Sequence, residues 1–263
     1  MLRKTGLDAL LLRIALGAIL LSSALTSARA QESGPCNAIS EAGQRYTICT
    51  FDVRRARLRL FLAGTDGKPY SNFAAIAEAL KSRGDSLTFA MNAGMFGTDY
   101  RPVGLYVEGG RQLMAANTRA GSGNFHLKPN GIFYFDARHA GIMETSRYLQ
   151  AHLHPEYATQ SGPMLVIDGR IHPKIRPDGA SAKIRNGVGV DDRGAVVFAI
   201  SDAPVTFNTF ARLFRDGLGS GDALFLDGSI SSLYAPELNR DDELMPIGPI
   251  VGVVKPEPLG RNP

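Results

Sequence analysis

Asp227 closes a fully apolar run, Ala223-Leu224-Phe225-Leu226, and opens a polar tip, Gly228-Ser229-Ile230-Ser231-Ser232. A charge at the end of a buried strand needs a partner or a chemical task. Three further tips share this grammar of an apolar strand joined to small polar residues. They are Asn92-Ala93-Gly94-Met95-Phe96, Ser161-Gly162-Pro163 and Arg185-Asn186-Gly187-Val188-Gly189. Glycines at such tips let a ligand approach the backbone closely, and their N–H groups can converge on an anion. Arg185 adds a guanidinium fork suited to a carboxylate or a phosphate. Asp168 ends the apolar run Met164–Ile167 in another Asp-Gly step. Asp-Gly also stands at 66, 178 and 216, and it is the commonest hairpin signal, so most of the five are expected to be turns.

Other chemistries lack their residues. The chain holds no G-x-S-x-G elbow, P-loop, H-E-x-x-H or EF-hand loop. His152 and His154 form an H-x-H pair that on a strand would place both rings on one face, where they can ligate a metal. No third ligand is signalled nearby, and the pair reads as an exposed polar helix end. No metal or cofactor is expected. Cys36 and Cys49 have no C-x-x-C partner and no neighbouring histidine. In an oxidising compartment they are expected to pair as a disulfide.

The elements that carry the tips follow from periodicity. Tyr46, Ile48 and Thr50, then Leu58, Leu60 and Leu62, alternate as strands do. Asn72 is placed to cap a helix from Phe73 to about Lys81, with Phe73, Ile76, Ala77 and Leu80 on one face and Gly84 as its stop. Short strands are expected at Leu87–Met91, Gly104–Val107, Ile132–Phe135, Met164–Ile167, Ala223–Leu226 and Ile247–Val254. Val188–Val190 and Ala195–Ile200 read as a hairpin around Asp192-Arg193-Gly194. Helices are expected over Thr145–His152 and Thr206–Phe214. Residues 31–43 read as loop, and 172–183 as a mobile loop rich in Pro, Gly and Lys. Hairpins outnumber clean βαβ units, so the predicted fold is α+β: a single domain with a mixed, mainly antiparallel sheet and a few flanking helices.

Residues 1–30 read as a signal peptide: a basic head at Arg3 and Lys4, an apolar run from Ala9 to Leu21 broken by Arg13, and Ala28-Arg29-Ala30 as the exit. The apolar run is short for a membrane span, which needs about 20 residues. The mature chain is expected to start at Gln31, leaving a domain over 31–263 in the periplasm or secreted, with no stable membrane span. The leader carries a net charge of +3 out of +4 for the whole 263-residue chain, so the working part is about +1. It has no dense Lys/Arg patch with interleaved aromatics, which argues against nucleic acid as a partner.

Taken in order, the tips at Asn92–Phe96, Ser161–Gly169, Arg185–Gly189 and Leu226–Ser232 resemble the motifs of the phosphodiester glycosidase family, over about residues 45–254. Phrases such as Asn124-Phe125-His126-Leu127-Lys128-Pro129-Asn130-Gly131 and Ser231-Ser232-Leu233-Tyr234-Ala235-Pro236-Glu237-Leu238 resemble a bacterial branch of small exported members. Two motifs depart from the family. Ala93 and Met95 replace Gly and Phe, and Ser229-Ile230 replace Gly-Gly. Ile230 is β-branched, so its loop cannot follow a glycine-only path.

The resemblance implies an exported hydrolase that cleaves the C1–O bond of a sugar phosphodiester, with a carbohydrate or glycosyl phosphate as its partner. An oxocarbenium-like transition state calls for carboxylates, implied at Asp168 and Asp227, with the choice of base or nucleophile open. A phosphate leaving group, with a second pKa near 6, needs a cation more than a proton donor, which implies Arg185. Asn92, Gly94, Ser161, Gly162, Gly228, Ser231 and Ser232 are the implied substrate-binding residues. The altered glycine loop keeps open a second class, a non-catalytic glycan- or phosphate-binding protein.

Overall fold

The computed structural model describes residues 34–242 and 245–257; the expected leader and the Gln31 start lie outside the described residues. In chain order the elements are β1 (Cys36–Glu41), β2 (Gln44–Phe51), β3 (Arg57–Phe61), α1 (Phe73–Lys81) and β4 (Asp85–Asn92). Then come β5 (Tyr106–Glu108), β6 (Arg111–Met114), β7 (Gly131–Phe135), β8 (Ala140–Glu144), α2 (Thr145–Ala151) and β9 (Tyr157–Ser161). They are followed by β10 (Met164–Ile167), β11 (Arg170–Ile171), β12 (Asn186–Val190), β13 (Val196–Ser201) and α3 (Phe207–Arg212). The last are β14 (Asp222–Asp227), β15 (Leu233–Ala235), β16 (Arg240–Asp241) and β17 (Ile250–Pro256).

These strands form three sheets, ordered β1-β2-β13-β12-β14-β10-β11, β16-β15-β4-β17-β3 and β6-β5-β9-β7-β8. Every pairing among the named strands is antiparallel, which places the expected α+β single domain at the antiparallel extreme. One core joins all three sheets. Phe51 and Phe198 from the first meet Phe89 from the second and Phe133 from the third, with ring centroids 4.8 to 6.3 Å apart. Such tilted and edge-on pairs suit the aromatic quadrupole. The helices cover outer faces: α1 packs Phe73, Ile76 and Leu80 on the second sheet, and α3 packs Phe210 on the first. No helix among the described residues is long and apolar enough to cross a membrane.

The local signals act as expected where they are strong. Asn72 accepts the Ala75 N–H at 2.7 Å and caps α1. Asp191 accepts the N–H groups of Arg193 and Ala195 and closes the β12–β13 hairpin. Elsewhere the elements differ. Residues 36–41 form a strand, not a loop, because Ala42 and Gly43 take positive φ in a tight hairpin and Cys36 bonds to Cys49 directly across the ladder. The last expected helix is α-helical only to Arg212 and then widens into a π turn over Leu213–Gly217. Ala151 ends α2, and His152 is its left-handed cap.

The disulfide closes a loop with a sequence separation of 13. Replacing both cysteines with serine is expected to cost about 3 kcal/mol in the chain-entropy account. A urea titration of the variant checks this. An unchanged midpoint would mean that β1 is held by its ladder alone.

Candidate functional site

Register brings most of the chemistry-bearing tips to one end of the molecule. Asn92 ends β4, Ser161 ends β9, Asp227 ends β14, and Asn186 opens β12 opposite Asp227. Leu233, which opens β15, pairs with Met91, so Ser231 and Ser232 fall at the same end. Their polar atoms then find each other. Asn92 Oδ1 accepts the Ser232 N–H at 3.0 Å and Asn186 Nδ2 at 3.0 Å. Ser231 Oγ lies 3.0 Å from the Asp227 carbonyl, 3.2 Å from that of Ile184 and 3.3 Å from Asn186 Oδ1. Ser161 donates to the Leu226 carbonyl at 3.1 Å.

Asn92, Ser161 and Ser231 therefore spend hydrogen bonds on holding the strand ends together. The buried Ser232 hydroxyl has no hydrogen-bond partner among the described residues. Glycine is required where the tips touch. A Cβ on Gly162 would sit 2.7 Å from Asn130 Cβ and 2.9 Å from the Phe125 carbonyl, and one on Gly94 would sit 3.1 Å from Thr159 Oγ1.

Asp227 is almost fully buried. One carboxylate oxygen accepts the N–H groups of Gly228 at 2.6 Å and Ser229 at 2.7 Å. Burial nevertheless outweighs these bonds and raises its pKa above the ordinary aspartate value. Ile230, expected to disturb this loop, is partly buried against the cluster that α1 and the second sheet share.

Arg185 is 1% exposed, although its sequence context is equally compatible with a surface arginine. Its Nε donates to the Val205 carbonyl at 2.9 Å and Nη2 to that of Ser181 at 2.7 Å. Its guanidinium lies over the Phe207 ring at 3.6 Å, with Phe225 at 5.4 Å. None of the ion pairs among the described residues neutralises it. Burial lowers its pKa to about 10, so it remains a cation at neutral pH. The third nitrogen, Nη1, faces the neighbouring tip: a Cβ on Gly228 would come within 3.3 Å of it. Residues 172–183 are irregular, as expected, but His172 and Ile175 anchor them in the interior.

Asp168 does not join this cluster. β10 runs antiparallel to β14, so Asp168 lies beside Asp222, the far end of the strand that ends in Asp227. Its N–H donates to Asp222 Oδ1, and its exposed carboxylate pairs with Arg147 at 3.0 Å. That is roughly 16 Å from Asp227 along the strand. Antiparallel pairing sends the two Asp-Gly steps to opposite ends, which the repeated motif alone does not reveal. His152 and His154 are also remote. With Tyr148, Leu149 and Leu153 they line a separate cavity of about 640 Å³ at the opposite end of the third sheet.

Sequence reasoning passed over Asn186, although it stands beside Arg185 in a quoted tip. It also passed over Asn130, Thr145 and Gln160, whose role depends on the partners that they meet in the fold.

Comparison with known proteins identifies the family and the fold. A family model described as phosphodiester glycosidase matches residues 85–254. The uncharacterized protein YigE of Escherichia coli strain K12 is 36% identical over 196 residues, 73% of either chain. The catalytic domain of zebrafish N-acetylglucosamine-1-phosphodiester alpha-N-acetylglucosaminidase, in a structure described as auto-inhibited by its pro-peptide, superposes with a TM-score of 0.56. That match has 14% identity and covers 83% of this chain and 81% of that one. A Synechocystis protein superposes at 0.55 with 16% identity, and the match covers 83% of this chain and 61% of that protein's length.

Proposed function

Because the chain belongs to the phosphodiester glycosidase family, we propose that it is an exported hydrolase, periplasmic or secreted, that cleaves the C1–O bond of a sugar phosphodiester. The observation that carries this reading is the buried Arg185 guanidinium with no carboxylate partner among the described residues, its Nη1 facing Gly228, the residue after the buried Asp227. A buried cation without a counterion costs free energy. An anionic substrate supplies the missing charge. The disulfide and the leader-like residues 1–30 support the exported setting.

In this reading Arg185 holds the phosphate and stabilises the charge that grows on it as the bond breaks. Water attacks C1, Asp227 takes its proton, and the C1–O electron pair leaves with the phosphate monoester. The leaving group needs no proton at neutral pH, so one carboxylate suffices. The raised pKa of Asp227 makes it a better base than an ordinary aspartate.

The second reading, a glycan- or phosphate-binding protein, draws on the internal bonding of Asn92, Ser161 and Ser231. Incubation with a reporter-linked glycosyl phosphodiester separates the two. Release of free sugar together with the phosphate monoester is expected. Saturable binding without product would transfer the protein to the second class.

A further inference from the structure

Gln160 lies on β9 and is 1% exposed. Its amide is fully occupied. Oε1 accepts the N–H groups of Leu105 at 3.0 Å and Asn117 at 2.8 Å, while Nε2 donates to the Asn117 carbonyl at 3.0 Å and to Thr145 Oγ1 at 3.2 Å. Thr145 passes the chain on to Asn130 Oδ1 at 2.9 Å, and Asn130 Nδ2 donates to the Phe125 carbonyl at 2.9 Å. Gly104 leaves the room: a Cβ there would fall 2.2 Å from Gln160 Oε1. A satisfied buried network of this kind fixes one geometry.

What it fixes is the segment from Asn117 to Asn130. That segment is also braced from within, by the Lys128 ammonium on the Thr118 carbonyl and by His126 Nδ1 against the Arg119 carbonyl at 3.1 Å. The segment borders the site. The Phe125 and Asn124 carbonyls pack on Gly162, 2.9 and 3.4 Å from where its Cβ would be, and the adjacent Ser161 is tied to the residue before Asp227. Strand order then sets the sides. β14, with Asp227, lies between β12, which follows Arg185, and β10, which follows Gly162. A phosphate held at Arg185 places the sugar over Asp227 and toward this segment.

We propose that residues 117–126 form the sugar-recognising rim of the site, with the exposed Asn124 amide reading ring hydroxyls and Gln160 as the positioning residue that sets the rim. The proposal rests on the reading of Arg185 as the phosphate side.

Its test uses the C1 methyl-phosphate diesters of glucose, galactose and mannose, which share an aglycone and differ in hydroxyl configuration. Two quantities are read for each: kcat/KM, and the concentration that protects the Arg119–Ala120 bond from trypsin, which needs no turnover. Wild type is expected to rank the three sugars by at least about tenfold, the scale of one hydrogen bond. Asn124→Ala is expected to compress the ranking to about twofold. Gln160→Met, of similar length but without hydrogen bonds, is expected to do the same and to speed cleavage after Arg119 at least about tenfold without ligand. Neither variant is expected to change the preference between methyl and benzyl aglycones. Sugar-ranked protection without turnover would keep the rim and remove the enzymatic reading. Equal losses on all three sugars, an altered aglycone preference, or no protection and no turnover by any diester would overturn the rim. Unchanged trypsin resistance in Gln160→Met would overturn the positioning role.

Discussion

Asp227→Asn is expected to lower kcat on a glycosyl phosphodiester by about a thousandfold, within the range that a positioned acid or base supplies. The folded protein is not expected to become less stable at pH 7. The two outcomes share one cause. Burial raises the Asp227 pKa above 3.8 despite three backbone N–H groups that work to lower it. A carboxyl that binds its proton more tightly when folded loses stability as pH rises from the unfolded value through the folded one, and above both it carries the whole penalty. Asparagine keeps an oxygen for Gly228 and Ser229 and removes that penalty. Its Tm at pH 7 should therefore equal or exceed that of wild type, with the difference shrinking as pH falls through the folded pKa toward the unfolded one. The wild-type kcat/KM profile should fall on its acid side at a pH above the ordinary aspartate value, since the base must be ionised. Differential scanning calorimetry beside a pH–rate profile reads both. A variant that stays active would remove Asp227 from the chemistry. One that is inactive but strongly destabilised would make Asp227 a structural cap of its loop.

A site retained against a stability cost is where reasoning from local rules should be least complete, and the residues bear this out. Asn72, Gly84 and the Asp191–Gly194 turn act over a few positions, so their outcome is legible in the sequence. The strands ending in Asn92 and Asp227 were legible too, because each polar end follows a short, mainly apolar run. That β14 runs antiparallel between β12 and β10 was not legible, and it decides that Asp227 meets Asn186 while Asp168 meets Asp222 and Arg147. Ile230 shows the same limit. Its bulk was evident, but the cluster it packs against includes Phe73 and Ile76, more than 150 residues earlier. Gln160 gave no signal, since a glutamine within Tyr-Ala-Thr-Gln-Ser matches an exposed strand position as well as a buried brace.

Arg185 carries the second large effect. Truncation to alanine would leave a void against Phe207 and strand the carbonyls of Val205 and Ser181, so a loss of activity would report folding as much as chemistry. Arg185→Met fills the void against Phe207 without charge but leaves the same two carbonyls unpaired, so its fold is checked by circular dichroism before its activity is read. On the phosphodiester its kcat/KM should fall by about 100-fold or more, the scale of one lost charge-stabilising contact. Arg185→Lys should recover only part. A point charge can meet the phosphate, but it cannot also reach both carbonyls while lying flat on the Phe207 ring. The same variants assayed on a nitrophenyl glycoside of the same sugar give the discriminating comparison. Nitrophenolate carries its charge away without a phosphate, so the methionine variant should lose much less there. Equal losses on the two substrates, with circular dichroism unchanged, would mean that Arg185 does not act on a phosphate. Its buried charge would then be a brace between residues 181 and 205, and the assignment of a phosphodiester substrate to this site would fall with it.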